Sequence, residues 1–276
     1  MRIEGLKWPA WGVIHMSRSF FKEVWHYREL FYFMLWRDVK VRYKQTVLGA
    51  AWAVIQPFFT MVVFTIFFGK LAKMPSDGIP YPVFSYCALL PWTYFSGALS
   101  QASNSIVANK NLVTKVYFPR VIIPSSSALS GLVDFSIASV ILLGMMAYYK
   151  IPPSLELLLW PFLMIPLVML VVGVATFLAS LNVRYRDIKH VIPFIVQLWL
   201  FLTPVIYPTS IVPKHLQILI SLNPMVGIIE AFRATLLPDR NVDWQLLSFS
   251  IALSVVIFIL GLAYFKNAEK EFADIL

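Results

Sequence analysis

Apolar residues in this chain fall into blocks. Long runs cover roughly 47–69, 81–107, 121–149, 155–181, 191–212 and 244–265, each near or above the roughly 20 residues a helix needs to cross a bilayer. One such block could be the core helix of a soluble domain, but several in one chain have no common core to hide in. The pattern therefore predicts an all-α integral membrane protein with about six transmembrane helices, because helix satisfies every backbone polar group inside lipid. Between the last two runs, 214–240 is apolar but broken by Pro213, Pro224 and Pro238. Its pieces, such as Met225 to Leu237, are too short to cross and read as short re-entrant outer helices before the last span. No internal repeat or low-complexity linker divides the chain. The expected organisation is an N-terminal segment over 1–46, one transmembrane domain over 47–266 and a cytosolic tail over 267–276.

Charge sets the orientation. Only 13% of the 276 residues are charged, about half the share usual in a soluble domain. The net charge of +9 would suggest nucleic acid in a soluble protein. In a membrane protein it follows from lysine and arginine gathering on the cytoplasmic side, so no nucleic-acid partner is expected. With six spans and both termini cytosolic, 17 of the 23 basic residues fall in cytosolic pieces. The outer pieces hold Lys70, Lys73, Lys150, Lys214, Arg233 and Arg240. No cleavable signal peptide is expected, since the first 45 residues lack a clean apolar stretch. Cys87 is alone in an apolar run and can neither form an internal disulfide nor complete a metal site. Aromatic residues make up 16% of the chain. Many cluster near span ends as interface belts, and a surplus could line a conduit for sugars.

Four stretches carry more information. In YRELFYFMLWRDVKVRYKQT (Tyr27 to Thr46), Arg37, Lys40 and Lys44 share one helical face, and Tyr32, Trp36, Val39 and Tyr43 the opposite one. Such an amphipathic helix is expected to lie in the cytosolic headgroup layer among membrane lipids, as an anchor or as a dock for a partner or an amphiphilic substrate. The loop from Asn104 to Pro124 interleaves Ile106, Val107, Leu112, Val113, Val116 and Phe118 with Asn109, Lys110, Asn111 and Lys115. It reads as a short helix protruding into the cytosol, stopped at Phe118-Pro119-Arg120, with Arg120 at the headgroups. In NVRYRDIK (Asn182 to Lys189), Arg184, Arg186 and Lys189 are flanking charge, and Asp187 can pair with an arginine or cap the next helix. From Phe201 to Pro238 the pattern predicts an outer lid or re-entrant gate that includes Tyr207. There Glu230 and Arg233, at i and i+3, either pair on one helix face or touch passing substrate. Asp134 is the one clear intramembrane acid, which either hydrogen-bonds a neighbouring helix or faces a watery lumen.

Absent motifs narrow the function. The only Gly-Lys pair, Gly69-Lys70, is followed by Leu71, so the chain has no P-loop for ATP. The four histidines, His15, His26, His190 and His215, are scattered, and no metal-binding cluster or gathered set of catalytic residues is visible. The chain does not read as an enzyme. An ion-coupled secondary transporter should carry more intramembrane charge and often an inverted repeat.

The order of motifs is specific. The aromatic–basic N-terminal helix runs into YKQTVLGAAWAVIQP, followed by YCALLPWTYFSGAL, NLVTKVYFPRVIIP, LNVRYRDI and LTPVIYP…LNPM…FR. Across nearly the whole chain this resembles ABC-2 type permeases that export polysaccharides: O-antigen, capsule or teichoic acid. The resemblance implies a subunit of the bacterial inner membrane, two copies of which form the pore. It implies a separate pair of ATPase subunits that bind ATP and Mg, with no cofactor on this chain, and a lipid-linked glycan, or another amphiphile, as substrate. By position, Asn109, Lys110, Leu112, Lys115, Phe118 and Arg120 would belong to the ATPase-coupling helix. Trp36, Arg37, Lys40 and Lys44 would belong to the interface helix beside it, and 209–237 would form the outer gate.

Overall fold

The computed structural model describes residues 22, 24–44, 49–185, 187–236 and 241–275, and among them there is no strand. Helix α1 (Arg28–Lys44) leads to α2 (Trp52–Phe64), which a wider π turn prolongs through Thr65–Leu71. Helix α3 (Tyr81–Ala108) is followed by the short α4 (Lys110–Lys115), then α5 (Ile122–Tyr148), α6 (Trp160–Arg184) and α7 (Ile188–Leu202). Two short helices, α8 (Lys214–Ser221) and α9 (Pro224–Ala234), precede α10 (Trp244–Ala268) and the terminal α11 (Phe272–Ile275). Among the described residues four helical stretches are long and apolar enough to cross a membrane: Trp52–Leu71, Ile122–Tyr148, Leu155–Arg184 and Trp244–Glu271. The bent pair α8–α9 makes five if it is taken as one span.

Two of the expected six spans differ. Helix α3 has the length, about 42 Å at 1.5 Å per residue, but carries too many polar side chains to pass the same test. It lies at the centre of the bundle, packed on α5 and α6, with 19 of its 28 residues buried. The run 191–212 is not one helix. Helix α7 has 15 residues, about 22 Å, which falls short of a hydrocarbon core of about 30 Å. It stops at Thr203 because Pro204 drives the residue before it out of helical backbone, and Thr203 is extended at φ −110°, ψ 135°.

Two short helices with a sharp bend stand where the re-entrant element is expected. Helices α8 and α9 meet at 105°, and Asn223 organises the corner. Its side-chain oxygen caps α9 by accepting from the Met225 N–H at 3.1 Å, ahead of a proline at the first helical position. The same oxygen accepts from the Trp199 indole at 3.0 Å, and its amide donates to Thr203 Oγ1 at 2.9 Å, which ties the end of α7 to the start of α9.

Helices α6 and α10 touch backbone to backbone. A Cβ on Gly261 would stand 2.0 Å from the Gly173 carbonyl oxygen, the close approach that small residues permit inside a membrane. The C-terminal residues are not a loose tail. Helix α10 continues through a 3₁₀ turn, Glu269–Glu271, into α11, where Phe272 is fully buried edge-on against Phe265. Helix α11 packs on α4 and α6.

Candidate functional site

Lys110, Lys115, Arg120, Arg184 and Lys266 mark one end of the bundle, its basic end. There α4 turns Lys110, Asn111, Thr114 and Lys115 outward and buries Val113. Val116 is extended, at φ −126°, ψ 135°, so the next two side chains point to opposite sides. Tyr117 projects at 85% exposure and Phe118 is buried at 4%. Lys110 and Lys115 are therefore surface residues, half-buried Leu112 and buried Phe118 are anchors, and Tyr117 is the protruding side chain that the sequence had not singled out. Half-buried Arg120 donates from its guanidinium to the Glu269 carbonyl at the C-terminal end of α10, where orphan carbonyls favour a cation.

The Asn182–Lys189 loop also departs from expectation. Arg184 pairs with Glu271 at 2.7 Å rather than with Asp187. Asp187 starts α7 through its backbone carbonyl, which accepts from His190 and Val191, and its side chain makes no cap. Arg186 lies outside the described residues, as do all of 1–21 and the Gln45–Leu48 stretch of the N-terminal motif.

Helix α1 packs along the bundle. Arg37 Nη1 donates to Asn109 Oδ1 at 3.1 Å, while its Nη2 holds Asp38 at 2.8 Å. Arg42 pairs with Asp134 and donates to Gln101 and to Ser130 Oγ, and the Tyr43 hydroxyl donates to Asp134. Gln101 sits on α3 about 12 Å deeper than Asn109, so α1 climbs the side of the bundle against α5. Met34 and Val39 are buried, whereas Tyr32 and Trp36 are exposed. The expected aromatic face is thus split: Val39 and half-buried Tyr43 turn inward, while the rings of Tyr32 and Trp36 stay outside. Lys40 and Lys44 are exposed as expected, with the Lys40 ammonium 5.5 Å from the Trp36 ring centre. Asp134 sits mid-helix in α5 and holds α1 in place. Burial, and then the hydrogen bond to Asp134, keeps the Tyr43 phenol above its usual range, so it remains a donor.

Above this junction lies a cleft. A cavity of about 400 Å³ opens between α1, α2, α3 and α5, lined in part by Arg42, Trp52, Gln56, Thr93, Tyr94, Gln101 and Asp134. It shares Gly97 and Gln101 with a hollow of about 500 Å³ that follows α3 past Ser100 and Asn104 toward Asn109. A third hollow, about 270 Å³, runs from Ser96 and Ser100 to Pro193 and Gln197 of α7. The floor of all three is one face of α3: Thr93, Ser96, Gly97, Ser100, Gln101 and Asn104, spaced three and four apart on an otherwise buried helix. Several of these groups donate to their own helix backbone, but their remaining acceptors and the Gln101 amide call for a polar surrounding rather than lipid.

At the opposite end, Glu230 and Arg233 pair at 3.0 Å as expected, but inside the protein. Arg233 is fully buried, stacked 3.7 Å from the Phe84 ring centre. It donates to the Val205 carbonyl at 2.8 Å and, at 3.4 Å, to that of Tyr207, while the Tyr81 hydroxyl donates to Ile206 at 2.9 Å. Three carbonyls of the non-helical stretch after α7 are satisfied in this way, as irregular backbone in a membrane protein requires. Half-buried Tyr207 donates to Phe201. These expected gate residues form a bracket inside this chain that ties α9 to the stretch after α7.

Residues 29–237 match the model of the ABC-2 type transporter family. The chain belongs to that family. It is 29% identical over 256 residues to the O-antigen export system permease protein RfbA of Myxococcus xanthus, covering 92% of this chain and 97% of that one. It is 27% identical over 242 residues to the protein of the same name from Klebsiella pneumoniae, covering 87% and 92%. It is 24% identical over 241 residues to the polysialic acid transport protein KpsM of Escherichia coli, covering 85% and 91%.

In this ABC-2 chain the structure brings together what the motifs kept apart. Asn109 of α4's base touches Arg37 of α1, and α1 in turn reaches Asp134 and the cleft. The polar face of α3 escaped the sequence reading. Its signal was a period of small hydroxyl and amide residues inside a run long enough to read as a span.

Proposed function

We propose that this chain is the transmembrane subunit of an ABC exporter that moves a lipid-linked polysaccharide, O-antigen-like or capsule-like, out of the cytosol. Two copies stand in the bacterial inner membrane with their termini in the cytosol, joined to a pair of ATPase subunits that bind ATP and Mg. The observation that carries this reading is the polar face of α3, in a chain that aligns almost end to end with O-antigen export permeases. A neutral, hydrogen-bonding groove inside a bundle suits a hydrophilic polymer, which lipid would exclude.

The basic end supplies a route for coupling. A push on Lys115 or Tyr117 shifts α4, whose base is bonded to α1 through Asn109 and Arg37. Helix α1 transmits that shift to the cleft through Arg42 and Asp134. The test is ATP-driven uptake of labelled lipid-linked glycan into inside-out vesicles that hold the chain and its ATPase. Uptake is expected from the wild type, and Tyr117→Ala and Lys115→Glu should reduce both uptake and ATPase stimulation at unchanged membrane insertion. Absence of ATP-dependent uptake by the wild type overturns the reading; normal uptake by both variants removes α4 from the coupling route.

A further inference from the structure

The cavity against α2 has the size and lining of a ligand site. Its volume, about 400 Å³, lies within the range of about 300–1,000 Å³ common for small-molecule pockets. Its wall combines neutral hydrogen-bonding side chains, Gln56, Thr93 and Gln101, with the rings of Trp52 and Tyr94. Tyr94 is only 4% exposed, and its hydroxyl has no hydrogen-bond partner among the described residues. A buried hydroxyl is costly to leave unpaired, so this one asks for a partner that those residues do not supply. Arg42 and Asp134 are the charged residues in the lining, and they pair with each other, which leaves the cavity without net charge.

We propose that this cavity is a subsite for an uncharged pyranose residue of the transported glycan. The assignment rests on the exporter function proposed above and names the part of the substrate that the cleft accepts. A hydrocarbon chain would strip water from Gln56, Thr93 and Gln101 and return no hydrogen bonds. A phosphate would find the only guanidinium already committed to a carboxylate that would repel it. A sugar ring meets both conditions. Its hydroxyls can donate to Thr93 Oγ1, whose own proton goes to the Leu89 carbonyl at 2.8 Å, and can accept from the Gln101 NH₂, since the Gln101 oxygen is taken by Arg42. Its C–H face, carrying partial positive charge, packs on the negative face of an aromatic ring, and Trp52, half exposed, offers one. The cavity shares Gly97 and Gln101 with the hollow along α3, so a ring leaving it passes next to Ser100 and Asn104.

The experiment uses the chain together with its ATPase in lipid nanodiscs. A neutral mannose oligosaccharide and the same oligosaccharide bearing uronic acids are titrated into wild type, Tyr94→Phe and Gln56→Leu, and glycan uptake is measured for the same proteins in vesicles. Tyr94→Phe removes only an unpartnered hydroxyl, so its fold is not at risk. The neutral sugar should bind the wild type at least tenfold more tightly than the acidic one. Each variant should lose about tenfold in affinity for the neutral sugar and slow uptake, with the melting temperature of Tyr94→Phe unchanged or raised. Wild-type binding and uptake by both variants would overturn the subsite and leave the exporter function standing, as would equal affinity for the acidic sugar. A wild type that takes up no glycan overturns both.

Discussion

Asp134 shows what a single carboxylate does in the middle of an apolar helix. Its partner Arg42 comes from a helix that begins outside the spans, and the two side chains are 24% (Arg42) and 31% (Asp134) exposed. Partial exposure weakens the ion pair, but Tyr43, Gln101 and Ser130 satisfy the remaining lone pairs and protons around it. A pair of this kind fixes where α1 docks more than it adds net stability. Asp134→Ala should therefore cost about 1–3 kcal/mol by stranding Arg42. Arg42→Leu should cost a similar amount, and the double variant should be no worse than either single one, because the second change removes a group already stranded. A double-mutant cycle of thermal unfolding in detergent measures this, and additive losses would show that the two residues do not act as a unit. Arg233 is the contrasting case. Fully buried, it serves Glu230 and two loop carbonyls through one planar fork, which the point charge of a lysine could not match.

Among the elements, the crossing of α6 and α10 is the most demanding contact. At Gly261 an added Cβ would overlap the Gly173 carbonyl at 2.0 Å, and at Gly173 it would meet Phe258 Cα at 2.6 Å. Both obstacles are backbone and neither can rotate away. Gly261→Leu should abolish recovery of folded protein. Gly144→Ala, on α5 where nothing lies within 4 Å, should leave recovery unchanged or improve it by about 0.5–1 kcal/mol of helix stability. Size-exclusion profiles in detergent distinguish the two, and a monodisperse Gly261→Leu would mean that the helices do not cross there. The sequence conveyed the existence of α2, α5, α6 and α10 because length and hydropathy decide them. It conveyed the broken helices near Asn223-Pro224 because proline marks them. It misjudged α7, where Pro204 ends a helix inside an unbroken apolar run, and the faces of α1, which depend on the surface of α5 rather than on the wheel. The choice between Tyr117 and Phe118 depended on one extended residue, Val116, that composition does not reveal.

For the molecule as a whole, the unsolved surface is the polar face of α3. Helix α2 borders it on one side through Trp52, Gln56 and Pro57, and α7 on the other through Pro193, Val196 and Gln197. Among the described residues nothing covers the hollow between them, while the flanking ridges carry exposed Phe59, Phe194 and Leu198. Facing lipid, this groove would set hydroxyls and amides against hydrocarbon. In the dimer proposed above, two grooves would enclose one polar passage, and the apolar ridges of α2 and α7 would seal its edges against each other. Such a shared passage would give a polymer more room than a single bundle closed by its own packing. It also lets neutral groups hold each sugar weakly and repeatedly, so that the chain slides instead of being trapped. Cysteines at Gln56 and Gln197, in a chain with Cys87 replaced, should then cross-link between copies in native membranes. Cysteines at Val140 and Leu143, exposed on α5, should not. Cross-links from α5 alone, together with full glycan uptake by a chain held monomeric, would show that each copy carries its own passage.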